Sequence, residues 1–208
     1  FTEKILRDLD AIHVLKEYVT LHVGAGTFKP VKSETMEEHD MHAEWIEVPK
    51  QLIKKLLAEL EEPIIAVGTT SLRTLESLYW LGVKTYLSLN GKKETTGKKD
   101  ELMQLTQWEA YSLAAENVPV ANALHSLLQW MELQQADKLT AKTQILIAPG
   151  YDFKIISGLI TNFHQPQSTL LLLVAALIGE EWKTVYNYAL EKDFRFLSYG
   201  DGCLLWKK

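Results

Sequence analysis

Residues 64–79, IIAVGTTSLRTLESLY, decide the fold. Ile64-Ile65-Ala66-Val67 is a continuous apolar run, the pattern of a strand buried on both faces. It breaks at Gly68-Thr69-Thr70-Ser71, after which Leu72, Leu75, Leu78 and Tyr79 recur at helical spacing. Strand, glycine-hydroxyl turn, helix is an α/β unit that aims a helix N-terminus at an anion or polar ligand. Threonine and serine also cap helices, so capping alone is a sufficient reason for them. Arg73 favours binding: its guanidinium is in reach of a carboxylate or phosphate held at the helix start. Glu76, three residues on, is expected to hold Arg73 in place.

Working outward, the same junction recurs twice. Tyr18 to Val23, with His22 in it, is β-branched and apolar and runs into Gly24-Ala25-Gly26-Thr27, then Lys29 and Pro30. Glycines at a strand end permit close backbone approach to a ligand, though such a pair is often only a turn. Glu38-His39-Asp40-Met41-His42-Ala43-Glu44 then packs five titratable side chains into seven residues, a density suited to acid/base chemistry. His39, His42 and Glu44 are also of zinc-ligand type, but no cysteine pair or HExxH motif accompanies them, and no metal is expected. The third junction is Ile155 to Ile160, running into Thr161, Asn162 and His164 ahead of the apolar helix Leu170 to Ile178. Polar side chains at a strand end meet ligands; the bland reading of His164 is a structural hydrogen-bonder.

Elsewhere, Thr2 caps a helix carrying Ile5, Leu6, Leu9 and Ile12, Trp45 to Val48 alternates as a strand, and Gln51 to Leu60 is an amphipathic helix. Val83 to Leu89, after Gly82, reads as a strand. Glu101 to Gln135 is mostly helical and broken by Pro119. Ile145-Leu146-Ile147 and the aromatic Phe194-Arg195-Phe196 read as short strands. The polar stretch NGKKETTGKKD, about 90–100, reads as a flexible loop, and its lysines Lys92, Lys93, Lys98 and Lys99 are a candidate basic patch. The expectation is a single α/β domain over 1–208, with a mostly parallel or mixed sheet flanked by helices.

At 208 residues and 47% hydrophobic, the chain is long enough for a substantial core. A net charge of -5 argues against a global electrostatic attraction to nucleic acid. The best apolar run, Ser168 to Gly179, is too short to span a bilayer, so no membrane association is expected. The single cysteine, Cys203, forbids an internal disulfide and fits a reducing, cytoplasmic setting. No signal peptide is recognised, and the helical pattern starting at Phe1 reads as a piece of a longer protein.

LHVGAGTFKPV, EHDMHAE, AVGTTSLRTLES, GLITNFHQPQSTLL and FRFLSYGD, in that order, resemble the S-adenosylmethionine:tRNA ribosyltransferase-isomerases of queuosine biosynthesis. The resemblance spans Phe1 to about Leu205 and covers the C-terminal part of the family, rather more than half of it. The N-terminal part, with an inserted small β-barrel domain, has no counterpart here. The chain departs from the family at Gln165 and Gln167, where leucine and lysine are usual, and at Asp201-Gly202-Cys203, where Asp-Ala-Met is usual.

The resemblance implies transfer of the ribosyl part of S-adenosylmethionine to 7-aminomethyl-7-deazaguanine at the wobble position of tRNA. Epoxyqueuosine forms, and adenine and methionine leave. S-adenosylmethionine is a substrate, and no cofactor is implied. Such chemistry needs groups that exchange protons near neutrality. His22, His39, His42, Glu44 and His164 are the catalytic candidates. Gly24, Gly26, Thr27, Lys29, Gly68, Thr69, Thr70, Arg73, Glu76, Thr161 and Asn162 are the substrate-binding candidates. The alternative is a diverged paralogue that binds a nucleoside or a partner without transferring ribose.

Overall fold

The structure is a computed structural model and describes residues 1–22, 41–91 and 99–208, without the side chains of residues 99 and 100. The elements run α1 (Glu3–Ala11), β1 (Thr20–His22), β2 (Glu44–Pro49), α2 (Lys50–Ala58), β3 (Ile65–Val67), α3 (Thr69–Leu89), α4 (Lys99–Leu102), β4 (Gln104–Leu105), α5 (Glu109–Leu113), α6 (Val120–Leu133), β5 (Lys138–Thr143), β6 (Gly158–Asn162), α7 (Thr169–Ile178), α8 (Glu181–Glu191) and β7 (Gly202–Trp206). The strands form a four-stranded sheet, β1-β2-β5-β4, and a three-stranded sheet, β3-β6-β7. β3 and β6 are parallel, as are β4 and β5, whereas β1/β2, β2/β5 and β6/β7 are antiparallel. The fold is therefore mixed α/β rather than mostly parallel.

Local chemistry sets several element ends. Thr2 caps α1 by accepting from the Ile5 N–H at 3.4 Å, and Ser168 caps α7 by accepting from the Leu171 N–H at 3.2 Å. Pro49 and Pro119 precede α2 and α6, where a missing N–H costs nothing. α7 is apolar on almost every side and buries Leu171, Leu173, Val174, Leu177 and Ile178.

The centre of the molecule is α3, buried along most of its length. It packs on α6 and ties the two sheets together. Gly68, at its N-terminus, donates to the Ile160 carbonyl of β6 at 2.8 Å. One turn in, Arg73 meets Glu44 of β2, and Ser77 Oγ lies 2.8 Å from Thr143 Oγ1 of β5. Residues 83–89 belong to this helix and not to a strand. Gly82 is no break: a Cβ there would lie 2.4 Å from the Ala123 carbonyl oxygen of α6. The glycine lets two helix backbones approach, and helix packing overrides the β-branched character of Val83 and Thr85.

Three further expectations change. Residues 145–147 are buried but extend past the end of β5 without joining a regular ladder. Phe194 and Phe196 are not in a strand; they pack edge-on or tilted against Phe163, with centroids at 5.6 and 5.5 Å. β3 also departs from the two-sided burial its sequence suggests, because Ala66 is buried while Ile65 and Val67 are exposed.

Candidate active site

Parallel pairing sets the C-terminal ends of β3 and β6 side by side, with Val67 opposite Ile160. Gly68 holds φ 90°, a region that disfavours a side chain although the space around it is open. Thr69 and Thr70 follow at the start of a helix of 21 residues, whose free N–H groups and dipole favour an anion.

At the end of β6, Thr161 Oγ1 lies 2.9 Å from His164 Nε2, and the His164 N–H donates to the Tyr186 hydroxyl at 3.0 Å. Burial pushes His164 down to about 4, so the ring is neutral at neutral pH and poorly suited to exchanging protons there. Burial also pushes Tyr186 up to about 12 and the Cys203 thiol, which donates to the Thr161 carbonyl, up to about 11. Asn162 Nδ2 donates to the Gly200 and Asp201 carbonyls at 3.2 and 3.4 Å. Asp201 in turn accepts from the Arg195 N–H at 2.8 Å. The FRFLSYGD turn thus closes onto the β6 end through Asn162.

Arg73 is not free to fork a ligand. Its Nη1 lies 3.3 Å from Glu44 Oε2, and its Nε donates to the Ile145 carbonyl at 3.2 Å. Both side chains are buried, and among the described residues Glu44 Oε1 and Arg73 Nη2 have no hydrogen-bond partner. Burial lowers the guanidinium pKa and Glu44 opposes that shift. Glu76 does not hold Arg73 as expected from its spacing. Its Oε1 accepts from the Ile155 and Ile156 N–H groups, and its Oε2 from the Lys154 N–H and the Tyr151 hydroxyl, at 2.9–3.1 Å. Burial raises this carboxyl, and the four donors work against that shift. Glu76 clamps the loop ahead of β6.

Glu44 sits at the start of β2, directly after the histidine-rich stretch. Arg73 lies four residues after Thr69, about 6 Å along the helix axis. The Glu44–Arg73 contact therefore sets the beginning of β2 about one helical turn from the β3–β6 ends. Met41 is pinned nearby: its N–H donates to Gln107 Oε1 and its carbonyl accepts from Gln144 Nε2, both at 2.9 Å. His42 is exposed next to it. His22 is also exposed, with Nε2 3.5 Å from Glu47 Oε1, on the four-stranded sheet rather than at the β3–β6 ends.

Gly24, Gly26, Thr27, Lys29 and His39 lie outside the described residues, as do Lys92, Lys93, Lys98 and the Lys99 side chain. Among the described residues, no group of three His, Cys, Asp or Glu side chains is placed to hold a metal, and no helix is long and apolar enough to cross a membrane. Sequence reasoning missed Tyr151 and Tyr186, because their partners lie far away in the chain and no local pattern marks them.

A family model described as a queuosine biosynthesis protein matches residues 1–205. The S-adenosylmethionine:tRNA ribosyltransferase-isomerase of Burkholderia orbicola is 36% identical, over 100% of this chain and 46% of its own length. That of Paraburkholderia xenovorans is also 36% identical, with 47% of its length covered. Among solved structures, an S-adenosylmethionine tRNA ribosyltransferase from Thermotoga maritima matches with a TM-score of 0.58 and 27% identity, over 98% of this chain and 49% of that one. The chain spans about half the length of these relatives, a smaller share than its motifs suggested.

Proposed function

Because this chain belongs to the queuosine biosynthesis protein family, we propose that it is part of a tRNA-modifying S-adenosylmethionine:tRNA ribosyltransferase-isomerase. It would act in the cytoplasm, on S-adenosylmethionine and on tRNA carrying 7-aminomethyl-7-deazaguanine. The observation that carries this reading is the side-by-side placement of the Gly68-Thr69-Thr70 and Thr161-Asn162 junctions at the ends of parallel strands. Ligands bind α/β sheets at such ends.

In this reading the α3 N-terminus, with the hydroxyls of Thr69 and Thr70, receives the methionine carboxylate of S-adenosylmethionine. Arg73 supports that helix start from behind while engaged with Glu44. The sulfonium acidifies the adjoining 5′ carbon, so a modest base removes a proton there. The attacking amine must be neutral, and adenine leaves more easily when protonated. His39 and His42 serve these proton movements near neutrality. His164, neutral at the working pH, serves as a hydrogen-bonding partner beside Thr161 and Asn162, and His22 plays a peripheral role. Gly24, Gly26, Thr27 and Lys29 complete the substrate contacts. S-adenosylmethionine is consumed as a substrate, and no further cofactor enters.

The test is adenine release from S-adenosylmethionine in the presence of tRNA carrying the precursor base. It is run on the chain alone and on the chain joined to the portion of a relative that it does not span. His42→Ala should cut release by roughly 10²–10⁴. S-adenosylmethionine binding should change far less, since the proton moves only in the transition state. Absence of adenine from both forms would overturn the reading.

A further inference from the structure

The turn at residues 195–201 is closed more tightly than an exposed connection requires. The Gly200 N–H donates to the Leu197 carbonyl and the Asp201 N–H to the Arg195 carbonyl, both at 2.8 Å. The Asp201 carboxylate accepts from the Arg195 N–H, also at 2.8 Å. Two further bonds strap the turn to the end of β6. The Leu197 N–H donates to the Phe163 carbonyl at 2.9 Å, and Asn162 Nδ2 donates to the Gly200 and Asp201 carbonyls. Phe196 packs on Phe163 and on Tyr186, with centroids at 5.5 and 5.9 Å. A Cβ on Gly200 would lie 2.2 Å from the Arg195 carbonyl oxygen, so only glycine lets the turn close.

The closure carries a backbone cost. Leu197 holds φ 68°, in the left-handed region that leucine rarely occupies. Such strain persists only where the surrounding structure over-determines it, and strained residues cluster at functional sites. What this turn presents is Tyr199, 97% exposed. A ring left almost wholly in water adds nothing to the core, so packing does not explain the tyrosine. Gly202, three residues on, pairs with Asn162, which sets Tyr199 at the same end of β6 as the candidate site.

We propose that Tyr199 is a stacking platform for an unpaired nucleobase of the RNA substrate, an inference that rests on the tRNA-modifying reading above. Bases of single-stranded RNA loops are recognised by stacking on aromatic side chains. The wobble position lies in such a loop, so its neighbours are available to stack. A tyrosine whose backbone is already fixed loses little conformational freedom when a base settles on its ring. The openness of the ring selects RNA over the adenine of S-adenosylmethionine. A small ligand is enclosed over most of its surface by a concave pocket, whereas a base still joined to its strand needs only one open aromatic face.

The probe is an anticodon stem–loop RNA with 2-aminopurine at one loop position at a time, titrated with the 208-residue chain. Stacking quenches 2-aminopurine. At one or more positions, fluorescence should fall with wild type and with Tyr199→Phe, and stay high with Tyr199→Ala. RNA affinity should drop roughly 5- to 100-fold in Tyr199→Ala, the size of one lost base–aromatic stack, and stay within about twofold in Tyr199→Phe. Melting temperature should be unchanged in both variants, because the ring supports no packing. S-adenosylmethionine affinity, measured by calorimetry, should also be unchanged. Equal quenching and equal RNA affinity in wild type and Tyr199→Ala would overturn the proposal, as would wild type that binds no RNA. A loss confined to S-adenosylmethionine affinity would overturn it too, and assign the ring to adenine. No readout needs turnover, so a failure of adenine release is told apart from a failure of stacking.

Discussion

Arg73 and Glu44 meet inside the molecule, Nη1 to Oε2 at 3.3 Å, joining the second turn of α3 to the first residue of β2. Among the described residues the contact is incomplete, because Arg73 Nη2 and Glu44 Oε1 are buried without partners there. Removing one partner of a buried pair leaves an uncompensated charge, at about 3–5 kcal/mol. Arg73→Met or Glu44→Gln should each cost an amount of that order in urea unfolding. The double variant Glu44→Leu/Arg73→Met should cost clearly less than the sum. Additive losses would mean that the two side chains act independently.

Glu76 is a different kind of buried charge, with each oxygen accepting from two donors. Glu76→Gln keeps the shape but turns one acceptor oxygen into an amide nitrogen facing two donors. Each buried donor left without a partner costs about 1–3 kcal/mol, so a loss of at least ~2 kcal/mol is expected. Hydrogen exchange should quicken at the amides of Lys154, Ile155 and Ile156. An unchanged midpoint would contradict the clamp.

His164 provides a pH signature. Its folded pKa, pushed down to about 4, lies below the ordinary value of 6.5. As pH falls from 6.5 towards 4, the unfolded chain binds this proton and the folded chain does not, so stability drops across that window and is fully present above it. His164→Asn should flatten the part of the pH–stability curve between 4 and 6.5, leaving the region above about 7 parallel to wild type. Curves parallel throughout would show that the ring titrates normally.

Gly82→Ala should destabilise the α3–α6 contact, because the added methyl would meet backbone rather than a yielding side chain. Overpacking of this kind costs about 1–3 kcal/mol, whereas the same exchange in an unobstructed helix interior is stabilising. A rise in melting temperature would mean that the helices separate at little cost.

Short-range chemistry was legible in the sequence. The cap at Thr2, the alternation of Trp45 to Val48, the apolar helix after Ser168 and the Gly68 turn all depend on residues a few positions apart. Tertiary structure alone decided where distant groups meet. Spacing suggested Glu76 as the partner of Arg73, three residues away, but the partner is Glu44. The two carboxylates compete for one cation, and only packing says which is turned towards it; Glu76 faces four donors that occur 75 or more residues later in the chain. Val83 to Leu89 has the composition of a strand, yet contact with α6 holds it helical, and Gly82 serves that contact instead of ending the helix. The same apolar alphabet in Ile65 and Val67 says that a surface is to be covered. Whether this chain covers it was settled by which elements reach that face, a long-range property that no local pattern encodes.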